Sequence, residues 1–274
     1  MPIHCPLSIE PISDAEFDRI DEVAMRCAYA SQNELGRLCD ERVYEKDLAA
    51  RLRAEGFQVF TQIPVTVSHL TFTKTYRLDL VVNHMPYELK AAAAIIGEHE
   101  SQALHYAVML AFSRVKIINF GAPKVGGLLK RSPVTRADAC RIITDTRSWK
   151  PIEPACERLR RCLTTFLEDV GGFLQCHLYE EAMIHACGGE AGCVVRLSVM
   201  RDGLELGTHR FNSHDHDLAF VITCFTSGAA AYESQLKRLI QLTDLRAIQW
   251  FNIAHNQLIS VTVEKEGKGM GAEE

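Results

Sequence analysis

Two acidic residues and a lysine occur close together in the segment YRLDLVVNHMPYELK, residues 76–90. Two short apolar runs flank an Asn-His-Met-Pro break, a pattern typical of a β-hairpin. A turn centred between the Asn and the His places Asp79 opposite Glu88, with Lys90 on the same strand face as Glu88. Carboxylates ~5 Å apart repel by roughly 3 kcal/mol at an effective dielectric of about 20. Because a divalent cation would relieve that repulsion, the segment predicts a metal site.

The same residues have a simpler interpretation, in which Glu-x-Lys lies on a solvated strand face and Asp79 is unrelated to it. A one-residue slip of the turn would also separate the two acids. The neighbouring sequence has to decide between the two interpretations.

The sequence around this segment predicts an α/β unit in the order helix, three strands, helix, strand. Ser13 and Glu16 have the spacing of a capping box at the start of the first helix. A second helix precedes Gly56, which is typical of a helix end. The predicted helices cover residues 13–29, 40–54 and 98–112, and the predicted strands cover residues 57–67, 72–82, 86–90 and 115–120.

Composition excludes several classes of protein. The chain of 274 residues is 47% hydrophobic and carries a formal net charge of −5. Up to Arg131 it has 15 basic and 16 acidic residues, which counts against tight nonspecific DNA binding. No apolar run is long enough to span a membrane, and no signal-peptide pattern is present. The ten cysteines have no CxxC spacing and are interpreted as small apolar residues in a reducing cytoplasm.

Five blocks carry a family resemblance: LGRLCDERVYEKDLAARL, YRLDLVV, YELK, HESQALHY and INFG. In order and spacing, over residues 13–125, they resemble the GxxExxY family of the PD-(D/E)xK, or restriction-endonuclease-like, nuclease superfamily. Gly36, Glu41 and Tyr44 correspond to the segment that names the family, whereas Leu38 stands where a second glycine is usual. The resemblance implies a restriction-endonuclease-like fold and metal-dependent hydrolysis of nucleic acid, of DNA before RNA.

The resemblance also assigns roles to individual residues. Asp79, Glu88 and Lys90 fall on the metal and lysine positions of the superfamily, and Gln102 falls on the following helix motif. Asp79, Glu88 and Glu41 would hold one Mg²⁺ or Mn²⁺, a cation that prefers oxygen ligands. Lys90 would orient a water or neutralise developing charge, and Gln102 would position a water or a phosphate.

Four aromatic or imidazole side chains near these positions are predicted to be structural. Tyr44 and Tyr106 are expected to be packed rings with satisfied hydroxyl groups, and His99 and His105 are expected to be surface or capping residues.

The second half of the chain repeats parts of the first. When the chain is aligned with itself at an offset of 133 residues, YRLD aligns with HRFN, Glu-Ser-Gln recurs, and Asn119 aligns with Asn252. At an offset of 135 residues, Gly36 aligns with Gly171 and Tyr44 aligns with Tyr179. The charged positions differ, because these offsets place Cys176, Asn212, Val221 and Thr223 at the positions of Glu41, Asp79, Glu88 and Lys90. We therefore expect a degenerate second copy of the same fold that packs on the first as a pseudo-dimer.

Boundaries follow from this comparison. Residues 1–125 form the nuclease-like domain, residues 126–154 a linker with a short helix, residues 155–263 the degenerate repeat, and residues 264–274 a disordered tail. His214, Asp215 and His216 are interpreted as a solvated loop and not as metal ligands.

Two alternatives to nuclease activity stay open: a non-catalytic binding or assembly module, and a nuclease regulated by a ligand-binding second copy. Association of whole chains is also left open.

Overall fold

The computed structural model describes residues 2–215 and 217–265, and the chain divides into an N-terminal unit, residues 1–138, and a C-terminal unit, residues 139–274. No helix among the described residues is long and apolar enough to cross a membrane. The predicted disordered tail lies outside the described residues from position 266 onward, as does His216.

The N-terminal unit is a mixed sheet with three long helices. Its six strands lie in the order β1-β2-β3-β4-β5-β6, and all neighbours are antiparallel except β4 and β5, which are parallel. The elements are β1 (Ile3–His4), α1 (Asp14–Leu35), α2 (Glu41–Ala54), β2 (Val59–His69), β3 (Phe72–Val82), β4 (Met85–Lys90), α3 (Gly97–Met109), β5 (Arg114–Asn119) and β6 (Gly126–Arg131).

The helices and the central strands of this unit lie close to their predicted ranges. Ser13 caps α1 as predicted, since its side chain accepts a hydrogen bond from the Glu16 N–H at 3.2 Å. Apolar faces of α1 and α2 pack on one side of the sheet, around Ile20, Leu48 and Tyr87. The predicted order of helices and strands is therefore formed by local patterns that agree with the packing.

The predicted linker over residues 126–154 is wrong. Residues 126–131 form β6, and Ile143–Ser148 form a strand of the second sheet, β7, so that only about ten residues and the short helix α4 (Arg136–Ala139) connect the two sheets. Gly127, within this predicted linker, is the second residue of β6. A Cβ there would stand 2.6 Å from the Lys116 side chain and 3.2 Å from the Met25 sulfur, so the glycine serves a close approach.

The C-terminal unit has the order of helices and strands that the repeat predicts. Its sheet order is β7-β12-β11-β10-β9-β8, with a parallel pair β10 and β11 at the position of β4 and β5. The elements after β7 are α5 (Pro154–Val170), α6 (Cys176–Ala186), α7 (Gly189–Cys193), β8 (Val194–Arg201), β9 (Leu204–Asp215), β10 (Leu218–Thr223), α8 (Ala229–Gln241), β11 (Ala247–Ala254) and β12 (Gln257–Glu264). The run β2 to β6 thus corresponds in order and direction to the run β8 to β12.

A glycine–tyrosine clamp joins the first two helices in both units. Tyr44 donates to the Gly36 carbonyl at 2.7 Å, and its hydroxyl oxygen accepts from the Cys39 N–H at 3.2 Å. In the C-terminal unit Tyr179 donates to the Gly171 carbonyl at 3.0 Å and accepts from the Leu174 N–H, also at 3.0 Å. The structure thus gives the residues paired at an offset of 135 the same hydrogen bonds.

The register of the second hairpin departs from the predicted correspondence by one residue. Asn212 pairs with Phe220 and not with Val221, because a bulge separates the pairs at the start of β10. A one-residue slip turns a side chain to the opposite face of the sheet. Phe211, the next residue along β9, packs in the same apolar cluster as Val221. Phe211 and not Asn212 therefore occupies the place that Asp79 has in the first sheet.

We predict that Gly36→Ala destabilises the N-terminal unit by about 1–3 kcal/mol, the cost of forcing a residue with a Cβ into this backbone region. Gly36 has φ 74° and ψ −159°. Gly97→Ala is the matched control, because Gly97 opens α3 with nothing near its would-be Cβ. Hydrogen exchange of α1 and α2 peptides in urea measures the effect, since both tryptophans, Trp149 and Trp250, lie in the other unit. Equal stability of the two variants would contradict the prediction.

Candidate active site

The hairpin that carries the acids has the predicted turn. Asn83 and His84 have positive φ values of 41° and 71°, as a two-residue type I′ turn requires. Leu80 pairs with Tyr87 across the hairpin, so the next facing pair is Asp79 and Glu88. The two carboxyl groups interact electrostatically, since the charge of Asp79 raises the pKa of Glu88. The structure therefore brings together the two acids that the sequence predicts to converge.

The pair is buried on the face of the sheet opposite α1 and α2. Tyr87 and Leu89 point into the core formed with those helices, so Glu88 and Lys90 point the other way. Glu88 has no exposed surface, and Asp79 and Lys90 are each 8% exposed. The interpretation as a solvated strand face is therefore wrong.

Lys90 and the backbone neutralise part of this buried charge. Lys90 Nζ lies 2.7 Å from Glu88 Oε1 and 3.8 Å from Glu41 Oε2. Asp79 Oδ2 accepts a hydrogen bond from the Leu89 N–H at 2.9 Å. Glu88 Oε2 is buried and has no hydrogen-bond partner among the described residues. One carboxylate oxygen at the centre of the cluster is thus left for a ligand or a proton.

The electrostatics of the cluster raise the pKa values of its acids. Burial, followed by the charge of Asp79, raises the pKa of Glu88 to about 8 in spite of the nearby Lys90 ammonium. Burial likewise raises the pKa values of Asp79 and Glu41. Burial disfavours the Lys90 ammonium, but the carboxylates of Glu88 and Glu41 outweigh it and raise the pKa of Lys90. The site therefore holds more acid groups than its own cation can balance.

The predicted third ligand, Glu41, is not brought into one group with the other two. Among residues 2–215 and 217–265, no three His, Cys, Asp or Glu side chains are arranged to hold a metal ion. Glu41 is the first residue of α2, and its Oε2 lies 3.8 Å from Lys90 Nζ. The chain thus offers a pair of carboxylates, with Glu41 close by.

Gln102 and Tyr106 lie one helical turn apart on α3, at the edge of this cluster. Gln102 reaches the Tyr106 hydroxyl, which donates to the Arg77 carbonyl at 2.7 Å. Burial and the charges of Glu88 and Asp79 raise the pKa of Tyr106, which shows that the ring faces the acids. Gln102 therefore lies near the site because it is next to Tyr106.

The structural predictions for the other rings are confirmed with one exception. Tyr44 is a packed ring, stacked on Phe120 with centroids 4.5 Å apart. His99 caps α3, since its Nδ1 accepts from the Ile96 N–H at 3.3 Å. His105 is not at the surface: it is 1% exposed and its ring meets Tyr76 edge to face at 4.6 Å. It occupies the buried side of α3.

An asparagine clamp fixes the chain just after Lys90. Asn119 pairs with Lys90 across the parallel strands, and its side chain binds both backbone groups of Ala92, at 3.0 Å and 2.8 Å. In the C-terminal unit Asn252 makes the same pair of bonds to Phe225, at 2.8 Å and 2.9 Å. The clamp positions the end of the strand that carries Lys90 and occurs at the same offset in both units.

The corresponding site of the C-terminal unit is filled by other side chains. Thr223 donates to Asn252 Oδ1 at 2.7 Å and accepts from the Trp250 indole N–H at 2.8 Å. Val221 packs in an apolar cluster, and the Cys176 thiol donates to the Ile222 carbonyl. The solvated-loop interpretation of His214 is wrong, because His214 lies at the end of β9, half-buried and near Cys156.

Two residues of the site were missed from the sequence. Gln62 of β2 donates its side-chain amide to Asp79 Oδ1 at 3.4 Å and also to Glu45 Oε2. Glu45, on α2, is 4% exposed. Sequence patterns alone do not connect Gln62 with Glu45, because β2 contains other polar residues and the two positions lie on different elements.

We predict that Asn119→Ala and Asn252→Ala each destabilise their own unit by about 1–3 kcal/mol, because each leaves two partly buried backbone groups without their side-chain partners. Asn119 and Asn252 are 2% and 1% exposed. Tryptophan fluorescence in urea follows the C-terminal unit, and hydrogen exchange of β4 peptides follows the other. Unchanged protection of β4 in Asn119→Ala would show that the clamp is dispensable.

Comparison with known families identifies one region of similarity. Residues 18–131, under half of the chain, match the family model described as the PD-(D/E)XK nuclease superfamily. Comparisons with curated proteins and with solved structures gave no significant match. The matched region runs from α1 to the end of β6 and contains Glu41, Asp79, Glu88, Lys90 and Gln102. Nuclease superfamilies of this kind generally use divalent metals and act on nucleic acid, so the N-terminal unit is similar to proteins with nuclease-type phosphodiester hydrolysis.

Proposed function

We propose that the N-terminal unit is a Mg²⁺- or Mn²⁺-dependent nuclease of the GxxExxY type that hydrolyses DNA in preference to RNA. One observation carries the proposal: a buried Asp79–Glu88 pair beside Lys90, with Glu88 Oε2 lacking a partner among the described residues, inside the region similar to nucleases. Burying three charges without a use for them is costly, and sites of this kind are most often functional.

The donor set suits a hard divalent cation. Mg²⁺ is usually bound by one or two carboxylates and keeps several waters, which is what Asp79 and Glu88 can supply. The unpartnered Glu88 oxygen supports this fit, and Glu41 would act from farther out. When bound, the cation would lower the pKa of a coordinated water and stabilise charge on a phosphodiester oxygen.

The remaining residues have roles that follow from their contacts. Lys90 is held by Glu88 at 2.7 Å, so its ammonium is fixed where it can orient the attacking water or neutralise the phosphate. Gln102, supported by Tyr106, would position a phosphate or a water. Arg42 and Lys46 are exposed on α2 and lie near Glu45, which supports the approach of a polyanion.

The C-terminal unit is proposed to be an inactive repeat that serves as a pseudo-dimer partner. The repeated strand order and the two shared clamps support a common origin. The positions of the acids and the lysine hold Cys176, Phe211, Val221 and Thr223, none of which can replace a carboxylate or an ammonium. As a pseudo-dimer partner, the C-terminal unit is also proposed to pack on the N-terminal unit.

We predict that Glu88→Gln and Lys90→Met each lower metal-dependent cleavage by at least about 100-fold, because the first removes the charge of a proposed cation ligand and the second removes the ammonium beside the reacting phosphate. Glu98→Gln is the control, since Glu98 is exposed at the start of α3. The assay uses single- and double-stranded DNA and RNA with Mg²⁺ or Mn²⁺, and circular dichroism checks folding. Full activity in either variant contradicts the assigned roles.

Complete absence of cleavage by the wild-type chain on all four substrates, with nucleic-acid binding retained, would favour the alternative of a non-catalytic binding or assembly module.

A matched pair tests the role of the repeat. Glu41→Ala should lower cleavage by about 10–100-fold, the usual effect of losing a residue that supports a metal site, and Cys176→Ala should leave it unchanged. The reason is that Glu41 Oε2 lies 3.8 Å from Lys90 Nζ, whereas the thiol of Cys176 donates to the Ile222 carbonyl in its own unit. Equal losses in both variants would show that the C-terminal unit takes part in catalysis.

A further inference from the structure

We propose that Gln62 is a positioning residue that holds the Asp79 carboxylate in the orientation needed to share a cation with Glu88. This inference rests on the proposed function and adds to it a residue that neither the motifs nor the similarity identifies.

The backbone at Gln62 is unusual for a strand. Gln62 has φ 53°, a left-handed value that favours glycine, although it lies within β2. Thr61 pairs with Leu80 and Ile63 with Leu78, while Gln62 itself is left out of the ladder opposite Asp79. A strained residue persists only where its surroundings maintain it, and such residues concentrate at functional sites. The irregularity directs the Gln62 side chain toward the acids.

The Gln62 amide lies between two acids. Its nitrogen donates to Asp79 Oδ1 at 3.4 Å and to Glu45 Oε2. Because the Leu89 N–H holds the other Asp79 oxygen at 2.9 Å, both oxygens of that carboxylate are oriented by the protein. Glu45 is almost fully buried and anchors the amide from α2. Residues that orient a metal ligand in this way commonly affect metal affinity as much as ligands do.

The C-terminal unit supports the same interpretation. Glu180, the counterpart of Glu45, also accepts a hydrogen bond from a side-chain amide, that of Asn212 at 2.7 Å. Asn212 faces no acid pair, and β8 pairs with β9 in regular register from Val194 to Val199. Among the described residues of the C-terminal unit, Glu180 is therefore satisfied directly by Asn212, and strand β8 contains no left-handed residue like Gln62.

Gln62→Gly separates positioning from structure. Glycine accepts φ 53° without strain, so this variant should still fold while it loses the amide. Gln62→Met keeps the bulk and the strain and removes the donor. Gln58→Met is the control, because the Gln58 side chain is exposed before β2 begins.

The readout is Mn²⁺ affinity, measured by titration followed by electron paramagnetic resonance of the free ion. We expect Gln62→Gly and Gln62→Met to bind Mn²⁺ about 10–100-fold more weakly than the wild type, and Gln58→Met to bind it equally well. Should Gln62→Met fail to fold, Gln62→Gly carries the test. Wild-type affinity in Gln62→Gly overturns this inference and leaves the proposed function intact. Absence of Mn²⁺ binding by the wild type overturns both.

Discussion

The mutual repulsion of Asp79 and Glu88, buried together on one sheet face, is the constraint on which the arrangement of the N-terminal unit depends. Each carboxylate loses hydration on burial, and each raises the cost of ionising the other. A single lysine, Lys90, cannot balance both acids and Glu41 as well. The surrounding elements supply the remaining compensation through a backbone N–H at Leu89 and the amide of Gln62.

That compensation requires elements from distant parts of the chain. The type I′ turn sets the register of the hairpin, the parallel strand β5 supplies Asn119 to fix the chain after Lys90, and α2 brings Glu41 and Glu45. The helices pack on the opposite face of the sheet, where the apolar side chains of β4 are buried. The charged face and the core face of one strand are therefore held by different parts of the unit, which lets the site be polar without loss of core packing.

The C-terminal unit shows what the same topology becomes without this constraint. The clamps that shape the backbone are present, and hydroxyl, thiol and apolar side chains occupy the charged positions. The register of β9 against β10 also differs by one residue from that of β3 against β4. The residues that shape the backbone and the residues that carry the charges thus lie at different positions of the same fold.

The sequence by itself determined the helices, the central strands, the hairpin turn and the facing of Asp79 and Glu88. These follow from local periodicity and turn chemistry, which act over a few residues. The sequence also determined the repeated strand order, because similar hydrophobic patterns favour similar pairings between strands. Only the tertiary structure decided the burial of the acids, the separation of Glu41 from them and the insertion of Gln62 between Asp79 and Glu45. It also showed β6 and β7 within a segment interpreted as a linker. Those features depend on contacts between residues that are far apart in the chain. A close approach at Gly127 and a left-handed residue within a strand leave no periodic pattern in the sequence.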